Sequence, residues 1–209
     1  MGGRRHLLST RSGAFCDIRA HTRMTSPGSV EGHERLRLFA ALPLPGDTVG
    51  RLVAWQERDL TAAREARLVP PGNLHVTLAF LGTRPASDVD GILAVLREAA
   101  STAERCVLTA SRYRETRSVA MLVLDDDGER ATRLAEGVGE GLERLGVYER
   151  EGRRWLPHVT VLRFRRAPRL RPPLPDLEPI SPSEVALYHS VLRPSGAQYE
   201  ILQSVPLGG

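Results

Sequence analysis

Short apolar runs alternate with amphipathic stretches along the chain, and the two periods predict interleaved strands and helices. LRLFAALPL (36–44) is almost continuously apolar, as a strand buried on both faces would be. Residues 47–66 carry Val49, Leu52, Val53 and Leu60 at helical spacing, with Gly46 or Asp47 as N-cap. Pro70, Pro71 and Gly72 break the chain, and NLHVTLAFLG (73–82) reads as a short strand ending at Gly82. Ser87 and Asp88 open a second helix to about Ala103, apolar at Val89, Ile92, Leu93 and Leu96. Strands follow at 106–114 and 118–125. Asp125, Asp126, Asp127 and Gly128 form a turn and cap before a third helix, which runs to about Leu145 and stops at Gly146. WLPHVTVLRF (155–164) is a further strand. A proline-rich connection leads to two last strands, 183–193 and 198–206, joined by a hairpin turn at Pro194, Ser195 and Gly196. Interleaved elements with an antiparallel ending predict an α+β body, not a doubly wound parallel sheet.

Two of the strands share a motif. LHVTLAFL (74–81) and PHVTVLRF (157–164) align at His, Val and Thr, and two related half-units facing one another would set them side by side. On a strand, His75 and Thr77 point to one face while Val76 points to the other, and His158, Thr160 and Val159 do the same. Six histidines and twelve threonines in 209 residues give about 0.3 His-x-Thr matches by chance. Two matches on apolar strands with the same flanks therefore favour function over two satisfied core histidines.

The residue types narrow the chemistry. No HExxH, histidine cluster or nearby carboxylate accompanies either motif, so no metal site is expected. No GxSxG or reactive cysteine is present, which removes a nucleophilic triad. Two imidazoles suit general acid–base work, one accepting a proton and one donating. Threonine hydroxyls suit phosphoryl oxygens, and Arg163, near the end of the second motif strand, suits phosphate charge. An acid-free arginine run (Arg153, Arg154, Arg163, Arg165, Arg166, Arg169 and Arg171) agrees with an anionic ligand, and outside Arg163 it equally suits a solvated strand and loop. Phe39, Trp155 and Tyr188 could stack a base, although core or rim packing is the commoner role for such residues. If Tyr188 faces the site, His189 faces away.

Composition mainly excludes. Hydrophobic residues at 41% and charged residues at 26% are ordinary globular values. No apolar stretch is long enough to span a bilayer, and no apolar segment marks a secretory signal. Cys16 and Cys106 stand far apart without CxxC partners; Cys106 is read as a small core residue on a strand. There is no lysine, so all 29 basic residues are arginine. Residues 1–30 hold five arginines against one acid, Asp17, which accounts for the whole net charge of +4. The rest of the chain is neutral, and any anion site in it has to be a local cluster. The first 34 residues lack periodicity and read as a disordered extension, or as the product of an upstream start codon with Met24 as the natural start.

Together, RLFAALPLP (37–45), NLHVTLAFLG (73–82), PHVTVLRF (157–164) and VALYHSVLRPSGAQYEILQSVPL (185–207) resemble, in order, the two-histidine (2H) phosphoesterase superfamily. Within it they resemble the RNA 2',3'-cyclic phosphodiesterase family once called 2'-5' RNA ligases. The resemblance implies a bilobal fold of two pseudo-symmetric antiparallel sheets, flanked by helices, with a central cleft. It implies that His75 is the proton donor and His158 the proton acceptor, and that Thr77, Thr160 and Arg163 hold the phosphate. It implies a cytoplasmic, monomeric enzyme without metal, cofactor or membrane, acting on RNA ends or nucleotides that carry a cyclic phosphate. The N-terminal 34 residues have no counterpart in that family, and the prolines of 168–182 are expected to bear on the cleft rim. Two other readings stay open: a phosphodiesterase for small cyclic nucleotides or 2',5'-linked oligonucleotides, and a non-catalytic binder of RNA ends. Intact His and Thr in both motifs weigh against the binder, because binding needs charge and not two titratable rings.

Assigning residues 35–209 to the domain and 1–34 to an extension has a direct consequence. A chain beginning at Val30 is expected to keep its melting temperature and its turnover. A large loss of either in thermal melts or rate assays would make the extension part of the domain.

Overall fold

A computed structural model describes residues 34–61, 65–150, 152–194 and 196–208. The extension expected at 1–34, with Met24, Cys16, His6, His21 and His33, falls outside the described residues apart from position 34. So does Ser195 of the hairpin turn.

Among the described residues eight strands and three helices follow one another, and all but the short second strand are elements that the sequence pattern predicts. They are β1 (Arg35–Pro43), α1 (Gly46–Asp59), β2 (Arg67–Leu68), β3 (His75–Pro85), α2 (Val89–Ser101), β4 (Leu108–Glu115), β5 (Val119–Asp126), α3 (Arg130–Arg144), β6 (His158–Arg163), β7 (Glu184–Arg193) and β8 (Gly196–Pro206). The strands form one antiparallel sheet in the order β4-β5-β6-β3-β1-β7-β8, with β2 paired to β6. The two expected sheets are its halves: β1, β3, β7 and β8 make one, and β2, β4, β5 and β6 the other. The ladder between the halves is a single register pair, Val76 with Val159.

The core explains why β1 is apolar throughout. Leu38, Ala40 and Leu42 point into the main core with Leu52 and Trp55 of α1, Leu96 of α2 and Leu142 of α3. Phe39 and Ala41 point the other way and pack with Ala186 and Tyr188 of β7, flanked by Tyr199 of β8. All three helices send their buried residues into the main core and so cover one face of the sheet. Among the described residues no helix covers the opposite, open face. Among the described residues no helix is long and apolar enough to cross a membrane.

Three local readings change. The helix expected over 47–66 ends at Asp59, and Leu60 turns into the core at 1% exposure. Beyond it, Arg67 and Leu68 are claimed by β6, and the Val69 amide donates to the Val161 carbonyl at 3.1 Å. Residues 62–64 of the expected helix lie outside the described residues, and at 67–68 sheet pairing takes the place of helix. Buried Gln56 of α1 fixes the junction, its amide donating to the carbonyls of Val69 (3.1 Å) and Val161 (2.7 Å). Its N-cap position is Pro45, with no capping side chain. Second, β3 does not end at Gly82. The strand continues to Pro85, and Gly82 adopts φ +71 beside Leu81, which has no partner on β1. Third, Cys106 is buried as expected but precedes β4 instead of lying on it.

The aspartate cluster does cap α3. The Asp126 carboxylate accepts from the amides of Ala131 (3.1 Å) and Thr132 (2.7 Å) and from the Thr132 hydroxyl (2.7 Å). The proline-rich connection lies on the helix-covered side, not at the open face. Ala167, Leu170 and Leu177 pack against the main core, and the Trp55 indole donates to the Pro173 carbonyl at 2.9 Å. Glu115 holds the connection from β4, accepting the amides of Arg169 (2.8 Å) and Leu170 (2.7 Å).

Helices α2 and α3 touch through a glycine. A Cβ at Gly141 would stand 2.5 Å from Val95 Cγ1, whereas one at Gly137, on the exposed side of the same helix, would meet nothing within 4 Å. Gly137→Ala is expected to stabilise the fold by about 0.5–1 kcal/mol through helix propensity. Gly141→Ala is expected to destabilise it by about 1–3 kcal/mol through overpacking. Urea denaturation of the two variants checks both signs; a stabilising Gly141→Ala would mean that the helices part freely.

Candidate active site

β3 and β6 each start on a His-Val-Thr triplet, and the seam of the sheet joins those triplets at their central valines. Counted outward along the antiparallel register, His75 lies across from Thr160 and His158 across from Thr77. The valines are fully buried in the main core, while both histidines and both threonines are half-buried on the open face. The expected side-by-side placement of the two motifs is therefore met, with the pairs crossed.

A β-bulge follows each triplet. Ala41 pairs with Thr77 and Ala40 with Ala79, which leaves Leu78 unpaired; Met121 pairs with Thr160 and Ala120 with Leu162, which leaves Val161 unpaired. Each bulge sends two successive residues into the core, Leu78 with Ala79 and Val161 with Leu162. Alternation then resumes out of phase. The third residue after each threonine returns to the open face: Arg163 on β6 and Phe80 on β3, both exposed. Strict alternation from His158 would have buried Arg163.

Backbone carbonyls set the histidine rings. His75 Nδ1 lies 2.9 Å from the Asn73 carbonyl, and His158 Nδ1 lies 2.8 Å from the Leu156 carbonyl. A carbonyl can only accept, so each Nδ1 carries hydrogen and each Nε2 faces the site. His75 Nε2 is 3.0 Å from the Thr77 hydroxyl. Both carbonyls belong to the residue two before the histidine, a role that leaves no mark in sequence. Two supports were missed for that reason. Asn73 is anchored by its own amide, which donates to the Ala197 carbonyl at 2.8 Å. The Trp155 indole donates to the Thr77 carbonyl at 3.0 Å and so ties the approach to β6 onto β3.

The surroundings of His75 are apolar. Its ring centroid is 4.9 Å from Phe39, 5.8 Å from Tyr188 and 5.5 Å from Tyr199, and Phe39 and Tyr188 stack at 4.8 Å with planes 4° apart. This burial, reinforced by the charges of His158 and Arg163, lowers the His75 pKa to about 4 against the pull of the Asn73 carbonyl. The ring thus rests neutral at pH 7, below the usual histidine range. Burial, with Glu184 adding to it, also pushes the Tyr188 hydroxyl up to about 12. Of the three aromatics considered for base stacking, Phe39 and Tyr188 are buried and Trp155 is half-buried with its indole engaged. His189 lies across from Leu38, on the face away from Tyr188. In the arginine run, Arg154 pairs with Glu129. Among the described residues, no three His, Cys, Asp or Glu side chains gather as a metal cage would need.

Paired His-Val-Thr triplets across a sheet seam, with a guanidinium nearby, are the pattern that resembles the two-histidine phosphoesterases. Comparison with known proteins agrees. Residues 42–117 match the model of the LigT like phosphoesterase family. A Thermus thermophilus protein named RNA 2',3'-cyclic phosphodiesterase is 33% identical over 184 residues, 83% of this chain and 91% of its own. A solved Thermus thermophilus structure superposes with a TM-score of 0.71 at 31% identity, covering 83% of this chain and 99% of its own. E. coli LigT, solved with NADP+, gives a TM-score of 0.70 at 25% identity, with 84% and 99% covered. The chain belongs to the LigT-like phosphoesterase family and is an enzyme of that class.

The charges around His75 can be tested directly. In the free protein its imidazole is expected to titrate near pH 4 by NMR, and Arg163→Gln is expected to raise that value. A midpoint in the ordinary histidine range, or one indifferent to Arg163, would place the ring in water and away from the guanidinium.

Proposed function

We propose that the enzyme opens 2',3'-cyclic phosphate ends of RNA or nucleotides to a 2'-phosphomonoester by two-histidine acid–base catalysis. The observation that carries this reading is the crossed register at Val76 and Val159. With the histidines at diagonal corners of that register and the threonines at the other two, the reading has a proton donor and a proton acceptor for an in-line displacement at phosphorus. The name of the Thermus thermophilus relative supplies the substrate class.

In this reading His158 is the base. With hydrogen on Nδ1, its Nε2 offers a lone pair to a water proton as the water oxygen attacks phosphorus. The bond from phosphorus to the 3' oxygen breaks, and that oxygen takes its proton from His75 Nε2. Thr77 and Thr160 hold the non-bridging oxygens, and Arg163 offsets their charge. His75 is neutral in the free enzyme at pH 7, so it must gain its proton with the substrate. The phosphate anion supplies the cause, since a negative charge beside the ring favours its protonated form. Two unperturbed histidines would put both limbs of the pH–rate profile in the ordinary histidine range, and the lowered His75 pKa moves one of them out of it. The acidic limb of kcat/KM, which reports the free enzyme, belongs near pH 4.

The test is product analysis on an oligonucleotide ending in a 2',3'-cyclic phosphate. The expected product is the 2'-phosphate, formed equally well after EDTA treatment. His75→Ala and His158→Ala are each expected to lose about 10²–10⁴-fold in rate while remaining folded. A diester with a nitrophenolate leaving group separates the roles, because that group departs without a proton. His75→Ala should regain much of its rate there and His158→Ala should not. The reverse pattern would exchange the roles, and restoration by a divalent ion after chelation would replace the acid–base scheme.

A further inference from the structure

Arginine faces arginine at the far end of β6. The short strand β2 pairs there, with Arg67 directly across from Arg163 and Leu68 across from Leu162. Residues directly across a ladder share a face, so Arg67 lies on the open face with Arg163, while Leu68 turns with Leu162 to the main core. Both arginines are exposed. Like charges set directly opposite one another cost stability. Among the described residues neither guanidinium has a carboxylate partner. The acids of the neighbouring strands are spent elsewhere. Glu115 turns with Ala120 to the helix-covered side, where it accepts the amides of Arg169 and Leu170. Asp125 lies across from Thr109, at the opposite end of β5 from Val119 and Arg163.

The place of the second arginine follows from the ladders. β5 occupies one flank of β6 from His158 to Arg163, so β3 and β2 share the other flank. On that flank His75 lies across from Thr160, and Arg67 across from Arg163. The matching positions on β5 are Met121 and Val119, two residues apart, so Arg67 lies about 7 Å beyond His75 along the sheet. Both arginines are thus at the His75 end of the site. In the proposed reaction the 3' oxygen departs at that end, and the ribose that carries it lies there. The 5' oxygen of this ribose bears a further phosphate in an RNA strand and only hydrogen in a nucleoside 2',3'-cyclic phosphate. A phosphate one ribose away from the first falls within the span of a long, forked side chain.

We infer that Arg67 forms a second anion subsite beside Arg163, and that it takes the 5' phosphate of the nucleotide whose cyclic phosphate is opened. The inference rests on the reading of the site as a cyclic phosphodiesterase with His75 at the 3' oxygen. Arg163 faces the reacting phosphate and Arg67 the next one along the strand. Two successive phosphates of one ligand then supply the counter-charge that the protein withholds from this pair. The subsite favours RNA ends, and nucleotides phosphorylated at the 5' position, over the cyclic phosphates of free nucleosides.

Calorimetric binding of two probes tests this without turnover. Adenosine 2'-monophosphate and adenosine 2',5'-bisphosphate share base, ribose and 2' phosphate, and differ in the 5' phosphate alone. The unaltered enzyme is expected to bind the bisphosphate roughly tenfold more tightly, in line with the worth of a hydrogen bond between charged groups. Arg67→Gln is expected to remove that preference while changing the affinity for the monophosphate by about twofold at most. Arg67→Lys should keep part of the preference, since it keeps the charge and loses the fork. Arg67→Gln should also melt no lower than the parent, because it relieves the repulsion with Arg163. Equal affinity of the unaltered enzyme for the two probes, or a preference untouched by Arg67→Gln, would overturn the inference. So would equal losses on both probes, which would assign Arg67 to the reacting phosphate. Hydrolysis of adenosine 2',3'-cyclic phosphate by the unaltered enzyme is followed separately. Its absence, with the preference for the bisphosphate intact, would defeat the proposed function and leave the 5' phosphate subsite in place.

Discussion

The meeting of the two His-Val-Thr triplets hangs on one ladder pair. Val76 and Val159 close the seam between two half-sheets, and both are fully buried beneath the helices. Because a strand alternates, burying a valine on one side presents its two neighbours on the other. Because the pair is antiparallel, the neighbours cross, and each histidine meets the other half's threonine. The site is thus a by-product of how two apolar side chains pack, and it inherits the stiffness of the core below it. The seam is short, and what reinforces it lies outside the ladder: the Trp155 indole on the Thr77 carbonyl, and the Gln56 amide across the carbonyls of Val69 and Val161.

The same construction sets the electrostatics. His75 sits against Phe39, Tyr188 and Tyr199, where a charged imidazole loses its water. Arg163, brought to the open face by the bulge at Val161, adds repulsion. An apolar bed on one side and a guanidinium on the other leave the ring neutral at pH 7. In the proposed reaction its protonation is therefore linked to the binding of an anion.

Much of this was legible in the sequence. The order of the long strands and the helices, the hairpin of β7 and β8, the cap before α3 and the paired motifs all follow from periodicity and turn residues. What was not legible is instructive. Two-residue β2 has no pattern of its own and exists because β6 has an edge to fill, so an alanine-rich segment read as continuous helix. The bulges at Leu78 and Val161 are invisible to strict alternation, since both are ordinary apolar residues in apolar runs. The carbonyls of Asn73 and Leu156 fix the histidine rings, and a carbonyl belongs to every residue type. Phe80 sat inside a strand that looked uniformly buried, so its exposure could not be read, while Phe39 and Tyr188 looked available and are packed.

The bulges carry a consequence for how chains of this kind can diverge in length. Between Thr160 and Arg163 the side chains of Val161 and Leu162 can change among apolar types, because the core asks only for volume. Their number is tied to the bulge. Removing one would take the bulge away and leave Thr160 out, one apolar residue in and Arg163 out, so the guanidinium would keep its face and its place opposite β5. Keeping both while the ladder ran straight would turn the guanidinium into the helix-side core and put leucine on the open face. The same holds between Thr77 and Phe80. Larger insertions and deletions fit places such as the 164–183 connection, where backbone bonds to Trp55 and Glu115 hold the path without a ladder to keep in step. In this fold the extra residue after each triplet and the bulge that absorbs it come and go together.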